Sequence, residues 1–240
     1  MRIAMLDSDR ERAAFVRDTL FCVGHICHLY YDAAALVHDL RRESFDLLVL
    51  GWNLHELTDE MMLRWVRGHY CAPDMPVLVI GGKQVISDVG PDAYATWPIP
   101  AELLVAQVGA IFRYAYGINS GSIREVHGSF SFNLEMDRVW LNERLLELTR
   151  GEFKIALHLC RHLGRAVSRA HLMEVATIHS SNTGSRTLDV YVSKVRAKLA
   201  QCPGDAYRLR AIYGYGYRLD RAARLVMSAP VVVEGVPAHR

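Results

Sequence analysis

The stretch Phe45-Asp46-Leu47-Leu48-Val49-Leu50-Gly51 decides the fold of the N-terminal half. Its apolar residues are continuous rather than alternating, the pattern of a strand buried on both faces of a parallel sheet. Working outward, Arg2-Ile3-Ala4-Met5-Leu6 and Pro76-Val77-Leu78-Val79-Ile80 are runs of the same kind, and shorter strands are predicted at 25–30 and 93–96. Between them the spacing becomes helical. Ala13, Ala14, Val16, Leu20 and Phe21 mark a helix over 10–22 that Gly24 ends, and further helices are predicted at 32–42, 58–68 and 100–115. Strands alternating with helices give a doubly wound α/β sheet, with its sites outside the carboxyl ends of the strands.

The chain has 240 residues, 51% hydrophobic and 22% charged, with a formal net charge of +2. That composition excludes disordered and fibrous classes, and the length suits two modest domains. No apolar run reaches the roughly 18–20 residues of a membrane span, and Arg2 followed by Asp7 and Asp9 argues against a signal peptide. Five scattered cysteines suggest a reducing, cytoplasmic setting. The small net charge conceals an asymmetry. Residues 1–127 hold 11 Lys and Arg against 16 Asp and Glu, whereas residues 128–222 hold 15 against 9. An acidic control domain followed by a basic, anion-binding one fits this division, and nucleic acid is the commonest such anion.

Residues 117–128 lack periodicity and read as a linker. Beyond it, Phe130, Phe132 and Leu134 alternate with polar residues. Arg138–Leu141 and Leu145–Leu148 flank the turn Asn142-Glu143, which completes a small antiparallel sheet. Thr149-Arg150-Gly151-Glu152 has the form of a capping box and opens a helix through about residue 163; a second helix is expected over 169–176. In a third, from Ser185 to Ala200, Leu188, Val192, Val195 and Leu199 form one buried stripe. The opposite face presents Arg186, Val190, Ser193, Lys194 and Ala197, with Thr187, Tyr191 and Lys198 to one side. Such a face suits a DNA major groove, where cations meet phosphate and guanine and Val meets a thymine methyl; it is equally the outward face of a plain amphipathic helix. Tyr207–Ile212, Tyr213-Gly214-Tyr215-Gly216 and Tyr217-Arg218-Leu219 read as a β-hairpin with glycines in its turn.

The N-terminal strand ends resemble those of a two-component receiver domain. In that family an acidic pair after the first strand holds Mg²⁺, an aspartate ending the third strand accepts the phosphoryl group, and a Thr or Ser and a Lys end the fourth and fifth. Here the acidic pair falls on Asp7 and Ser8 with Asp9 beside them. The acceptor position holds Gly51, the Thr/Ser position Gly81, and the Lys position Trp97, before Pro98. Gly51 has no group to phosphorylate and Trp97 no cation. Asp46 starts the third strand, roughly 15 Å from its far end at about 3.3 Å per residue, so it cannot substitute; Asp59 reads as a cap or a solvated residue. Asp7 and Asp9 without a third carboxylate could hold Mg²⁺ only weakly, and no cofactor is expected. Cys22, His25, Cys27 and His28 span a helix end and a strand, with Cys27 and His25 turned inward, so packing is expected there and no metal. Only about a dozen residues join Ile80 to the next strand, so the family's fourth helix should be reduced or absent.

The C-terminal half resembles the winged-helix effector domain of OmpR/PhoB-type response regulators. The resemblance rests on Leu148–Phe153, Arg186–Arg196 and Gly214–Leu219, and covers about residues 129–220. The implied architecture is a receiver-like (flavodoxin-like) doubly wound parallel sheet over 1–116, a linker over 117–128, a winged helix-turn-helix α+β domain over 129–222 and a flexible tail over 223–240. By position, Arg186 and Thr187 would hold phosphates, Val190, Ser193 and Lys194 would face base edges, and Tyr191 and Arg196 would reach the backbone. Lys198 joins them on the flank. Tyr213 stands at the wing tip where many relatives carry an Arg. The implied partners are double-stranded promoter DNA with paired half-sites, a second copy of the chain, and RNA polymerase. The loop Thr177–Gly184 lacks the aromatic residue often found at the polymerase contact.

The resulting expectation is a non-enzymatic, sequence-specific transcription regulator that works as a dimer without aspartyl phosphorylation. Three other readings stand beside it: phosphoryl transfer through another acceptor, a pseudo-receiver pocket reshaped to sense a small molecule or redox state, and a partner-binding protein with little DNA role.

Overall fold

The computed structural model describes residues 1–51, 59–69, 75–81, 92–118, 123–176, 182–200 and 207–221. Strands β1 (Arg2–Leu6), β2 (Ile26–Tyr30), β3 (Leu47–Gly51), β4 (Val77–Ile80) and β5 (Ala93–Ala95) form one parallel sheet in the order β2-β1-β3-β4-β5. Helices α1 (Arg10–Cys22), α2 (Ala33–Leu40), α3 (Asp59–His69) and α4 (Ala101–Tyr116) cover it. The apolar runs are continuous because both faces need them. Ile3, Met5, Leu47, Val49, Leu78 and Ile80 join the core on the α1/α4 side. Their neighbours Ala4, Leu6, Leu48, Leu50, Val77 and Val79 join the core on the α2/α3 side. Each fully buried large aliphatic side chain stabilises the sheet by about 1.5–3 kcal/mol. Asp9 and Asp32 cap α1 and α2 by accepting from backbone N–H groups of the first turn.

The second half begins earlier than its sequence suggests. Residues 124–127, read as linker, form β6 (Arg124–His127), which pairs antiparallel with β7 (Phe130–Asn133). With β8 (Arg138–Leu141) and β9 (Arg144–Leu146) they make a four-stranded sheet. The strand is held by a side chain rather than by periodicity: the Glu125 carboxylate accepts two bonds from Arg161, at 2.9 and 2.6 Å. Next come α5 (Arg150–Arg161), β10 (Ala166–Ser168), α6 (Arg169–Val175), α7 (Asn182–Ala200) and the hairpin β11 (Tyr207–Ile212) and β12 (Gly216–Arg221). The capping box at Thr149 and Glu152 is formed. The three-residue strand β10, too short for a periodic signal, pairs with β12 and makes a second sheet in the order β10-β12-β11. Leu188, Val192, Val195 and Leu199 are all buried in the core that joins α5, α7 and both sheets. Segments 82–91, 177–181 and 222–240, which include the shortened crossover, most of the polymerase loop and the tail, lie outside the described residues, as does the side chain of Asp59.

Glu125 also gives the fold a pH dependence. Burial alone would raise its carboxyl, but the bonds from His127 and Arg161 prevail and hold it down at about 2, against an ordinary 4.5. A depressed folded pKa contributes stability above the unfolded value that disappears as pH falls through the folded one. That contribution, about 3 kcal/mol at 1.36 kcal/mol per pH unit, should therefore be complete above pH 4.5 and vanish towards pH 2. Denaturant titrations of Glu125→Gln and the parent chain should differ most at pH 7 and converge in acid. An equal gap at pH 7 and pH 2 would contradict this.

Candidate functional site

At the carboxyl ends of β1 and β3, the receiver pocket is filled from within. Asp7 is fully buried and receives Arg12 through two bonds, Nε to Oδ2 at 2.6 Å and a terminal nitrogen to Oδ1 at 2.7 Å. The Asp9 backbone N–H donates to the same Oδ1 at 2.9 Å. Asp9 itself accepts from the N–H groups of Glu11 and Arg12, which commits it to the helix cap. The residual acidic pair is thus one neutralised carboxylate and one capping carboxylate. Gly51 is where the space for that carboxylate comes from. A Cβ built on Gly51 would fall within the Asp7 carboxyl group, 2.5 Å from Oδ1. Trp97 stacks edge-on with Phe15, ring centroids 5.5 Å apart, and the Arg12 guanidinium lies 6.0 Å from its centroid. Arg12, one turn into α1, is therefore the cation nearest this pocket's carboxylate among the described residues, a role not foreseen from the sequence. The signal available was the spacing of Asp7 and Arg12 across a helix start.

The outward face of α7 divides into free and committed residues. Arg186, Ser193 and Lys194 are exposed, and Val190 is half exposed. Lys194 Nζ sits 3.8 Å from Glu152 at the base of α5. Thr187 is partly buried at the edge. Three residues assigned to DNA by position have partners inside the domain. The Tyr191 ring lies against Gly151, where an added Cβ would approach Cε2 to 2.7 Å. Arg196 donates to the Leu209 carbonyl at 2.9 Å, and Lys198 to Glu152 at 2.7 Å. These contacts pin α7 to α5 and to the wing. A polar triad unseen in the sequence does the same from the other side: Arg169 and Tyr217 both donate to Asp189 Oδ1, at 2.7 and 2.6 Å. Tyr213 stands fully exposed at the wing tip.

Cys22, His25, Cys27 and His28 do not converge. Cys22 is exposed, Cys27 is partly buried against the α1/α4 core, and His25 packs on Phe112 at 5.3 Å. Burial lowers the His25 imidazole to about 4 and raises the Cys27 thiol to about 11. His28 faces the other way, towards Arg2 and Glu174.

A receiver-like sheet in the order β2-β1-β3-β4-β5 joined to a winged helix defines a response-regulator effector. Residues 142–219 match the family model described as "Transcriptional regulatory protein, C terminal". The chain is 30% identical over 192 residues to the transcriptional regulatory protein AfsQ1 of Streptomyces coelicolor, covering 75% of this chain and 81% of that protein. It is 28% identical to the response regulator MprA of Mycobacterium leprae, covering 91% and 98%. With the transcriptional regulatory protein CpxR of Escherichia coli the identity is 26%, covering 92% and 99%. The chain belongs to the OmpR/PhoB family of DNA-binding response regulators. Among the described residues no helix is long and apolar enough to cross a membrane.

Proposed function

We propose that this chain is a sequence-specific, dimeric transcription regulator that binds promoter DNA without aspartyl phosphorylation and acts by binding rather than catalysis. The observation that carries the reading is the pocket at Gly51. The acceptor side chain is missing, its space is taken by Asp7, and the charge of Asp7 is cancelled by Arg12. Among the described residues, a phosphoryl group arriving there would meet neither a nucleophile nor an uncommitted metal-binding carboxylate.

On the effector side, Arg186, Val190, Ser193 and Lys194 are exposed on one face of α7, and they form the base- and phosphate-reading set. Tyr191, Arg196 and Lys198 act one step back, by fixing the pose of α7. Selection of bound DNA from a random pool with the untreated protein should recover paired half-sites, which two protomers read together. On the selected site, Lys194→Ala should cost about 1–3 kcal/mol and relax preference at one base position. Arg186→Ala should weaken all sequences alike and reduce the salt slope by about one. If both variants weaken selected and random DNA by the same factor, α7 is only an electrostatic surface.

A further inference from the structure

Where the receiver-like sheet meets the winged helix, four side chains converge on one buried point. Asp46, at the amino end of β3, comes from the first domain. His158 on α5, His162 at its C-cap and His171 on α6 come from the second. All four are at most 5% exposed. Asp46 Oδ1 lies 2.8 Å from His162 Nε2 and 3.9 Å from His158 Nε2, and Asp46 Oδ2 lies 3.3 Å from His171 Nε2. Yet Oδ1 and all three Nε2 atoms lack a hydrogen-bond partner of acceptable geometry. Four orphaned polar atoms in one place are far more than native interiors tolerate singly.

The far sides of the rings explain why these atoms face inward. His162 Nδ1 lies 2.9 Å from the His158 backbone carbonyl, an acceptor only, so Nδ1 carries a proton and, in the neutral ring, the Nε2 lone pair points at Asp46. His171 Nδ1 lies 2.9 Å from Ser44 Oγ, which also accepts from the Ser168 N–H at 2.9 Å and so bridges the two domains. Anchoring Nδ1 on a carbonyl or hydroxyl while Nε2 is presented as a lone pair is the outer-shell arrangement of a metal-ligating histidine. Lone pairs aimed at a buried carboxylate repel it unless a cation, either a proton or a metal ion, lies between them.

We propose that Asp46, His158 and His171 bind a divalent transition-metal ion of the zinc type, with His162 alongside Asp46, and that this ion fastens the receiver-like domain to the winged helix. Imidazole nitrogens with one carboxylate oxygen suit such an ion, whereas Mg²⁺ and Ca²⁺ prefer oxygen throughout. Donors of a tetrahedral zinc centre, each about 2.0–2.1 Å from the metal, lie roughly 3.3 Å apart. His158 and His171 lie 3.9 and 3.3 Å from the two Asp46 oxygens, and the donor atoms of Asp46, His158 and His171 all lie within 4.8 Å of one another. The three donors come from both domains, two of them from the second, so the ion's role is architectural. The His-x-x-x-His spacing at 158 and 162 places both rings on one helix face. In the sequence, only Cys22–His28 and the pair Asp7 and Asp9 stand out as metal-ligand candidates, and no metal is expected at either.

The test uses the full chain, refolded or purified in the presence of zinc and dialysed free of excess. It should retain about one zinc per chain. Replacement by Co²⁺ should give visible d–d bands of a four-coordinate centre without the near-ultraviolet thiolate charge transfer that cysteine ligands produce. His158→Ala and His171→Ala should each lower retained metal at least about tenfold. Cys27→Ala should keep it, and this variant also controls for folding. Less than a tenth of an equivalent in the parent chain would overturn the proposal. So would thiolate charge transfer in the cobalt form, or full retention in the His158→Ala, His171→Ala double variant.

Discussion

Gly51→Ala should destabilise the chain by about 3 kcal/mol, a large effect for one methyl group. The new Cβ would overlap the Asp7 carboxyl group. Asp7 cannot simply swing away, because its oxygens hold Arg12 twice and the Asp9 N–H once. Moving it breaks a buried ion pair and leaves the Arg12 guanidinium, 9% exposed, without its carboxylate. Overpacking alone costs about 1–3 kcal/mol, and breaking a buried pair costs about 3–5 kcal/mol, so partial relaxation lands between them. The cause can be isolated by a double-mutant cycle. Once Asp7→Ala has opened the space, adding Gly51→Ala should cost less than about 1 kcal/mol more. A Gly51→Ala chain within about 0.5 kcal/mol of the parent in urea unfolding would mean that Asp7 does not occupy that space.

Gly216→Ala should be comparably severe, and it should abolish DNA binding as well. A Cβ at 216 would fall inside the Val167 carbonyl oxygen and 2.9 Å from Ser168 Cα. Both are backbone, so no rotamer change relieves the overlap. Gly216 pairs with Ser168 in the β10–β12 ladder, and Ser168 caps α6 and bonds Ser44 across the domain boundary. Separating β10 from β12 therefore frees the wing and disturbs the base of α6 together. The expected loss is about 3 kcal/mol or more. Gly214→Ala is the comparison: nothing lies within 4 Å of its Cβ, and only its φ of +69° opposes the change. It should cost about 1 kcal/mol and leave folding intact. Equal losses at 214 and 216 would remove the steric explanation.

Elements buried on regular faces were legible in the sequence. The unbroken runs at 2–6 and 47–50 become strands because both sheet faces are covered, and the i, i+4, i+7, i+11 stripe of α7 is its buried side. Thr149 and Glu152 announce a helix start by chemistry that acts over three residues. What was illegible depends on distant partners. β6 owes its position to Glu125 meeting Arg161, and β10 is held by β12. Gly51 is legible as a residue without a side chain, but Asp7 filling the space beside it is a through-space event. On α7, composition could not separate Lys194, half exposed, from Lys198, which Glu152 holds. The Asp46–histidine cluster is the extreme case, since Asp46 lies over 100 positions before the histidines and meets them only when two domains dock.

The central claim is that this regulator binds its DNA without an aspartyl phosphate. The direct measurement is intact mass and DNA affinity of the same sample, before and after incubation with acetyl phosphate and Mg²⁺. The prediction is an unchanged mass and an affinity for the selected site unchanged within about twofold, roughly 0.4 kcal/mol. A stoichiometric, acid-labile phosphoryl adduct on an aspartate, with binding tightened about tenfold, or roughly 1.4 kcal/mol, would contradict it.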